Sequence, residues 1–384
     1  METYKQALNI CLRLKEEGYI AYFAGGWVRD WLLGHPSTDI DIATNAPLSV
    51  LLDLFPRTIL VGMAFGVLIV QMEGHAFELA IFRKDISYTN GRKPDRIEPS
   101  SPEEDAKRRD FTINGLFYDP LEDKLWDYVG GQEDLKKGVI RAIGDPWERF
   151  AEDRLRMIRA VRFSARFGFH IDPDTEEAIR LNAPTLLPAV ASERIYQEFA
   201  KMSEAPRFSF ALVDLFRLGL LGEIFPSLKS GHLKEIKAKA TEIPENLPLI
   251  VKLRELVKDP RELIALKLSA KEQEMIEYLD KVQEDLLQKR YQTSADWARF
   301  YAHPWSTIAL QLYGEGENHQ FRQDHLAKHI ERLRSKKPLV QASHLLAKGI
   351  TPGIEMGRLL KQAEEIAINR DLEDAATVLK ELHL

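Results

Sequence analysis

The chain has 384 residues, 45% hydrophobic and 29% charged, which supports a sizeable buried core and excludes a mainly disordered polymer. No stretch approaches the ~20 uninterrupted apolar residues of a membrane helix, the first residues carry no signal-peptide apolar block, and the single cysteine, Cys11, excludes an intramolecular disulfide and a Cys-based zinc site. Lys plus Arg number 53 against 59 Asp plus Glu, so the net charge of −6 argues against non-specific coating of nucleic acid while leaving room for a local basic patch. The reading expects no membrane association and, from the cysteine usage, a reducing, cytoplasmic setting.

Periodicity predicts a helix over 1–18, a buried strand over 18–24 running into Gly25-Gly26, and a helix over 28–33 stopped by Gly34. Alternation over 38–44 predicts a half-buried strand, 48–55 a helix, and 66–72 with 76–83 two strands joined at Glu73-Gly74-His75. From 84 to 108 the composition turns polar, with Pro94, Pro99 and Pro102, and reads as a long loop beside the rest. Apolar runs at 111–118 and 125–128 follow. After Gly144-Asp145-Pro146 the strand signal fades. Helices are predicted over 146–167, 174–182, 192–202, 206–219, 233–240, 246–258, 260–280, 293–302, 320–335, 340–348, 353–368 and 371–382. The coarse expectation is a small α/β head on a long helical body.

Three clusters carry chemistry. The first is Gly25-Gly26-Trp27-Val28-Arg29-Asp30 followed by Asp39-Ile40-Asp41. On one strand, positions 39 and 41 face the same way. Two such carboxylates repel unless a cation sits between them, and oxygen-rich pairs suit Mg²⁺ with substrate phosphates in its shell. The glycines leave backbone N–H groups open to a phosphate. A lone Asp-x-Asp is most often a strand end with solvated acids; the Gly-Gly-x-x-Arg-Asp segment upstream reverses that reading. Glu78, flanked by Phe77 and Leu79, is either a third metal ligand or an exposed or ion-paired glutamate.

The second cluster is Arg108-Arg109-Asp110-Phe111-Thr112-Ile113-Asn114, which offers phosphate contacts beside an acceptor for a ribose hydroxyl, or else a surface ion-pair group. The third is Glu152-Asp153-Arg154-Leu155-Arg156 with Arg159, Arg162 and Arg166. At helical spacing Arg156, Arg159, Arg162 and Arg166 share one side, with Asp153 one turn before Arg156. Cytosine and adenine each present an acceptor ring nitrogen beside a donor amino group. One Asp acceptor plus one Arg donor therefore reads either base, and meets guanine and uracil in the wrong order. A solvated basic face is the plainer alternative.

Taken together, Gly25-Gly26-x-Val28-Arg29-Asp30, Asp39-x-Asp41, Arg108-Arg109-Asp110-Phe111-Thr112-x-Asn114 and Glu152-Asp153-x-x-Arg156 resemble the class II tRNA nucleotidyltransferase/poly(A) polymerase family, in order and separation. Ser192-Glu193-Arg194-Ile195 and Gly349-Ile350-x-Pro352-Gly353-x-x-x-Gly357 extend the resemblance over most of the chain. It implies an α+β fold: a polymerase β-like nucleotidyltransferase palm, with a mixed or antiparallel sheet and helices, followed by an all-α neck, body and tail. The implied domains are a catalytic head over 1–144, a base-recognising neck over 145–205, and a tRNA-binding body and tail over 206–384.

The implied activity is template-independent addition of C, C and A to the tRNA 3′ end from CTP and ATP, with release of pyrophosphate. Asp39, Asp41 and Glu78 match the catalytic, metal-binding carboxylates, holding two Mg²⁺ ions about 3.5–4 Å apart. Gly26 and Arg29 match the triphosphate contacts, with Gly25 beside them. Arg109, Asp110 and Asn114 fall in the nucleotide-binding motif, Asp110 at its ribose position. Asp153 and Arg156 match the base-reading pair, and Arg159 and Arg162 further nucleotide contacts. The full-length 83–108 segment, with Gly91-Arg92-Lys93-Pro94-Asp95, disfavours a CC-only enzyme. The apolar stretch from Val61 to Val67 disfavours a poly(A) polymerase, whose counterpart is basic. A specialist that adds only the terminal A stays open. Arg332, Arg334, Lys336, Lys337 and Lys348 are candidate tRNA contacts.

Overall fold

The structure, a computed structural model, describes residues 2–35, 37–62, 66–87, 96–257, 259–314 and 318–384. Residues 91–95 and 63–65, on which two of the expectations above rest, lie outside that set. The chain forms two compact units, Met1–Leu268 and Ser269–Leu384.

The first unit opens with α1 (Glu2–Glu16), β1 (Ala21–Ala24), α2 (Gly26–Leu32), β2 (Asp41–Thr44) and α3 (Leu48–Leu54). Then come β3 (Thr58–Gly62), β4 (Val67–Met72), β5 (His75–Ile81), β6 (Arg83–Ser87), β7 (Arg96–Pro99) and α4 (Pro102–Lys107). β8 (Leu116–Asp119), β9 (Lys124–Asp127), α5 (Gly131–Lys137) and β10 (Val139–Ile140) complete the sheet region. Seven strands form one sheet in the order β3-β4-β5-β2-β1-β8-β9. β2 and β5 run parallel, and the other neighbours antiparallel. The sheet is therefore mixed, as the palm expectation requires. Phe23, Ile42, Leu68, Leu79 and Phe117 are fully buried in it. Burying each such side chain contributes about 1.5–3 kcal/mol, so the central strands are firmly held.

The helical part of this unit starts with α6 (Pro146–Glu152) and α7 (Leu155–Phe167). It continues with β11 (His170–Ile171), α8 (Pro173–Asn182), α9 (Leu186–Ala189) and α10 (Ser192–Ser203). Helices Phe208–Arg217, Leu220–Ile224, Leu233–Glu242, Leu249–Leu256 and Pro260–Ile264 follow. Pro146 at the first turn and an Asp145 side chain accepting from the Trp147 N–H at 2.8 Å start α6. Met157, Ile158 and Val161, all fully buried, hold α7 down by its apolar face. The second unit runs from Ala270–Leu287 through Ser294–Ala302, Ser306–Tyr313, His319–Arg334, Ala342–Leu346 and Ile354–Asn369 to Ala375–Glu381. Part of its core gathers Val340, Leu345, Met356, Leu359, Ala363 and Val378. No helix among the described residues is long and apolar enough to cross a membrane.

Five expectations change, the first being the helix predicted over 260–280, which is two, Pro260–Ile264 and Ala270–Leu287, the second started by the Ser269 cap. The strand predicted over 38–44 is only Asp41–Thr44, so Asp39 precedes it. The 84–108 loop holds a two-stranded hairpin of β6 and β7 and then α4, capped by Ser101. The single helix predicted over 146–167 breaks at Asp153, whose φ of −150° and ψ of 105° are extended. One short strand, β11, does follow Gly144, paired in parallel with β10.

Candidate active site

The sheet order explains where the acids meet. β1 and β2 are paired so that Ala24 faces Asp41, and β2 runs beside β5 with Ile42 opposite Leu79. One residue earlier on each of the latter strands stand Asp41 and Glu78, which therefore share a sheet face. Asp41 is half-buried, while Asp39 and Glu78 are exposed. The Asp39 N–H donates to Ser37 Oγ at 3.0 Å, which fixes its backbone before the strand. Burial, then Glu78, then Asp39 push the Asp41 carboxyl up to about 7, while Arg109 opposes them. Acids that raise one another in this way call for a counter-cation. That is the observation by which these side chains fit a bound metal cation. Among the described residues no three His, Cys, Asp or Glu side chains are already gathered into a closed ligand set.

Gly25 ends β1 with φ +61°, and its N–H donates to Leu116 O at 3.0 Å. A Cβ at Gly25 would lie 2.7 Å from Arg109 Nη1, so the tight turn and the close approach of that arginine both require glycine. No side chain caps α2. Arg29, on α2, is 3% exposed. Its guanidinium donates to Asp30 Oδ1 from Nε at 2.8 Å and to Asn114 Oδ1, and packs 4.8 Å over the Phe167 ring. Asp30 in turn accepts from Arg166 at 2.9 Å.

Asp105 organises the arginine pair. It is 1% exposed and accepts from Arg108 at 3.0 and 2.7 Å and from Arg109 at 3.2 and 3.1 Å. Burial raises its carboxyl, but Arg109 and Arg108 outweigh that and hold it below the usual range. The third arginine nitrogen, Arg109 Nη1, donates to Asn114 O at 3.3 Å. Asp110 is also buried. Its Oδ1 accepts from the Phe111 N–H and Asn114 Nδ2, both at 2.9 Å, and its Oδ2 from Arg159. Its acceptors thus serve Arg159 and its own turn, which adds an anchoring task to the expected ribose contact.

The arginines predicted to share one helix side do so. Arg156, Arg159, Arg162 and Arg166 all line one cavity of about 670 Å³ with Gly25, Gly26, Arg29, Asp39, Asp41, Glu78, Arg109, Asp110, Asn114 and Asp153. Every residue singled out in the sequence for the site reaches this cavity. Arg194 and Lys201 of α10 reach it too. Asp153 and Arg156 both line the cavity without bonding to each other. Because the helix breaks between α6 and α7, Asp153 turns to Arg194, accepting at 3.2 and 2.7 Å. Arg156 donates instead to Glu152 and to Arg149 O, the latter at 2.9 Å. Glu198, 3% exposed on α10, accepts from Arg162 at 2.5 Å. Sequence reading missed Asp105 and Glu198 as counter-ions. Only the spacing of Asp105 three and four residues before the arginines could have signalled the first.

In the second unit, Arg332 is paired with Glu364 at 2.8 Å and Arg334 donates to Tyr301 O at 2.8 Å, whereas Lys336, Lys337 and Lys348 are exposed.

A mixed sheet with an acidic strand end, a glycine turn and an arginine-lined helix beside it defines a nucleotidyltransferase palm with its helical neighbour. Two stretches of the chain match models of the poly A polymerase family. Residues 21–141 match the poly A polymerase head domain, and 168–231 match the probable RNA and SrmB-binding site of polymerase A. A CCA-adding enzyme of Geobacillus stearothermophilus is 42% identical over 238 residues, 62% of this chain and 58% of that protein. One from Ligilactobacillus salivarius is 44% identical over 202 residues, 52% of this chain and 50% of that protein. The matched region thus spans about half the length of these curated relatives. Among solved structures, a CCA-adding enzyme of Bacillus stearothermophilus in complex with CTP superposes with a TM-score of 0.82. It is 28% identical, over all of this chain and 98% of that one. The Thermotoga maritima CCA-adding enzyme complexed with tRNA shares the fold, with a TM-score of 0.68 at 23% identity over 97% of this chain and 92% of that one.

Proposed function

We propose that this chain is a CCA-adding nucleotidyltransferase, which extends the 3′ end of tRNA with CTP and ATP and releases pyrophosphate. The observation that carries the reading is the meeting, in one cavity, of the Asp39, Asp41 and Glu78 carboxylates with an arginine row and with Asp153 and Arg156. The relatives named above are CCA-adding enzymes, one of them solved with CTP, which supports the same assignment. Residues 1–144 would act as the catalytic head, 145–205 as the base-reading neck, and 206–384 as the body and tail that hold tRNA by shape and phosphate contacts.

The tRNA 3′-hydroxyl attacks the α-phosphate and the pyrophosphate leaves on the opposite side. Arg29 and the Gly25-Gly26 backbone steady the triphosphate, and Arg109, Arg159 and Arg162 carry its charge. Asp153 accepts from the base amino group while Arg156 donates to the ring nitrogen. Asp39, Asp41 and Glu78 would hold Mg²⁺, which when bound stabilises charge on attacking and leaving oxygens. Most of the acceleration then comes from alignment and charge placement, with no covalent intermediate on the protein.

The test is single-turnover extension of three tRNAs, ending before CCA, after the first C, and after CC, each with CTP, ATP or both. Growth of all three to CCA establishes the full activity. Extension of only the CC-ended tRNA, by one A, makes the chain an A-adding specialist. No incorporation on any of the three refutes both.

A further inference from the structure

Three residues of α10, Arg194, Glu198 and Lys201, recur at i, i+4 and i+7 and so lie on one helix face. That face meets the base-reading side of the neck. Arg194 forks onto Asp153, and Glu198 pairs with Arg162 at 2.5 Å and stands 3.9 Å from Arg159. Arg194 and Asp153 are mostly buried, 21% and 16% exposed at the side chain.

The geometry points to Arg194 as the positioning residue that sets which way Asp153 presents its carboxylate, and hence as a determinant of base selectivity. This rests on the reading of Asp153 and Arg156 given above. A carboxylate offers about four lone-pair positions. Asp153 Oδ1 spends its two on the Leu155 N–H at 3.0 Å and on Arg194 Nη1 at 3.2 Å. Oδ2 takes Arg194 Nη2 at 2.7 Å and keeps one position. That position is where the amino group of cytosine or adenine docks. Uracil and guanine would bring a carbonyl oxygen there, lone pair against lone pair.

The restraint matters because Asp153 sits at the break between α6 and α7, on extended backbone, where the Leu155 N–H holds only Oδ1 and leaves Arg194 to fix the plane of the carboxylate. Without the guanidinium fork, the carboxylate can swing out of the plane and the penalty against uracil and guanine relaxes. Arg194 never needs to touch the base. Exchange of the reading pair by Asp153→Arg with Arg156→Asp would also set one guanidinium against another at Arg194, so that double change alone is an incomplete reversal.

The experiment measures kcat/KM for CTP, ATP, UTP and GTP on tRNA with the full chain, comparing Arg194→Met, Arg194→Lys, Asp153→Ala and Glu198→Gln. Arg194→Met is expected to raise UTP and GTP relative to CTP and ATP by about tenfold, the scale of one good base contact. Arg194→Lys, which keeps the charge and loses the fork, is expected to fall between it and wild type. Glu198→Gln, on the same face, is expected to weaken all four nucleotides evenly. A wild-type ratio in both Arg194 variants, or in folded Arg194→Lys if Arg194→Met does not fold, overturns the inference, as does an even loss matching Glu198→Gln. If Asp153→Ala itself leaves the ratio unchanged, base reading by Asp153 falls and the inference falls with it.

Discussion

Asp110 holds Arg159 by two donors onto one oxygen, Nη2 at 2.6 Å and Nε at 2.8 Å, across the junction between the sheet region and α7. Burial works against the Asp110 carboxyl, yet Arg159 and Asn114 more than offset it and hold the group well below the usual carboxylate range. Asp110→Asn keeps the shape and removes the charge. It is expected to raise KM for CTP and ATP together by about tenfold or more, with a loss of roughly 2 kcal/mol in stability, the usual cost of breaking a charged hydrogen bond. Steady-state kinetics and urea unfolding check both. An unchanged KM for both nucleotides would remove Arg159 from the nucleotide contacts.

The acidic strand end gives a second test, with a sign fixed by linkage. The Asp41 carboxyl stands at about 7 in the folded protein, against about 4 when unfolded. The folded state binds that proton more tightly. Its stabilising contribution is therefore fully present below about pH 4 and is lost as the pH rises through 7. In metal-free protein, Asp41→Asn is expected to gain melting temperature relative to wild type between pH 5 and pH 8, and added Mg²⁺ should close the gap at pH 8. The same variant is expected to lose incorporation while keeping tRNA affinity. A difference in melting temperature that ignores both pH and Mg²⁺ contradicts the assignment.

What could be read in advance follows from which forces leave a local trace. β1, β4 and β5 are apolar runs bounded by glycine, and the chemistry-bearing residues around them stand in short motifs, so both were legible. β3 was not. It is an edge strand whose Ile59, Leu60 and Val61 are 49%, 44% and 62% exposed, so no burial alternation marks it. The β6–β7 hairpin has few apolar positions and sits in a proline-containing polar stretch. The break at Asp153 hid because the apolar spacing of α6 and α7 continues across it. Arg194 and Glu198 belong to another helix altogether. Their tie to Asp153 and Arg162 spans 41 and 36 residues, a tertiary fact that spacing cannot express.

Gly25 and Gly26 are adjacent, but the structure separates their roles. A methyl group at Gly25 would strike Arg109 Nη1 at 2.7 Å, and φ +61° adds a cost of roughly 1–2 kcal/mol for any L side chain. At Gly26 the nearest atom is Arg29 Nη2 at 3.6 Å, an ordinary contact. Gly25→Ala is therefore expected to cost at least tenfold in kcat/KM for both nucleotides. Gly26→Ala is expected to fold with wild-type stability, so that any loss there reports substrate approach to its backbone. Equal melting temperatures for the two variants would contradict this division.

His329 tests the second unit independently of the active site. It is fully buried on the helix His319–Arg334, and its Nε2 lies 2.8 Å from Asp371 Oδ1, with Lys328 on the same carboxylate at 2.9 Å. Its Nδ1 is buried with no hydrogen-bond partner among the described residues. Burial lowers its pKa, Arg332 and Lys328 add to that, and Asp371 opposes them without prevailing. The unfolded chain therefore binds the proton more tightly, at about 6.5. The stability this histidine confers is present above pH 6.5 and is lost as the pH falls below it. Hydrogen exchange across 319–334 is expected to quicken between pH 7 and pH 5.5 after correction for intrinsic rates, and His329→Gln should flatten that dependence. Equal acid sensitivity in wild type and variant would place the titrating group elsewhere in the unit.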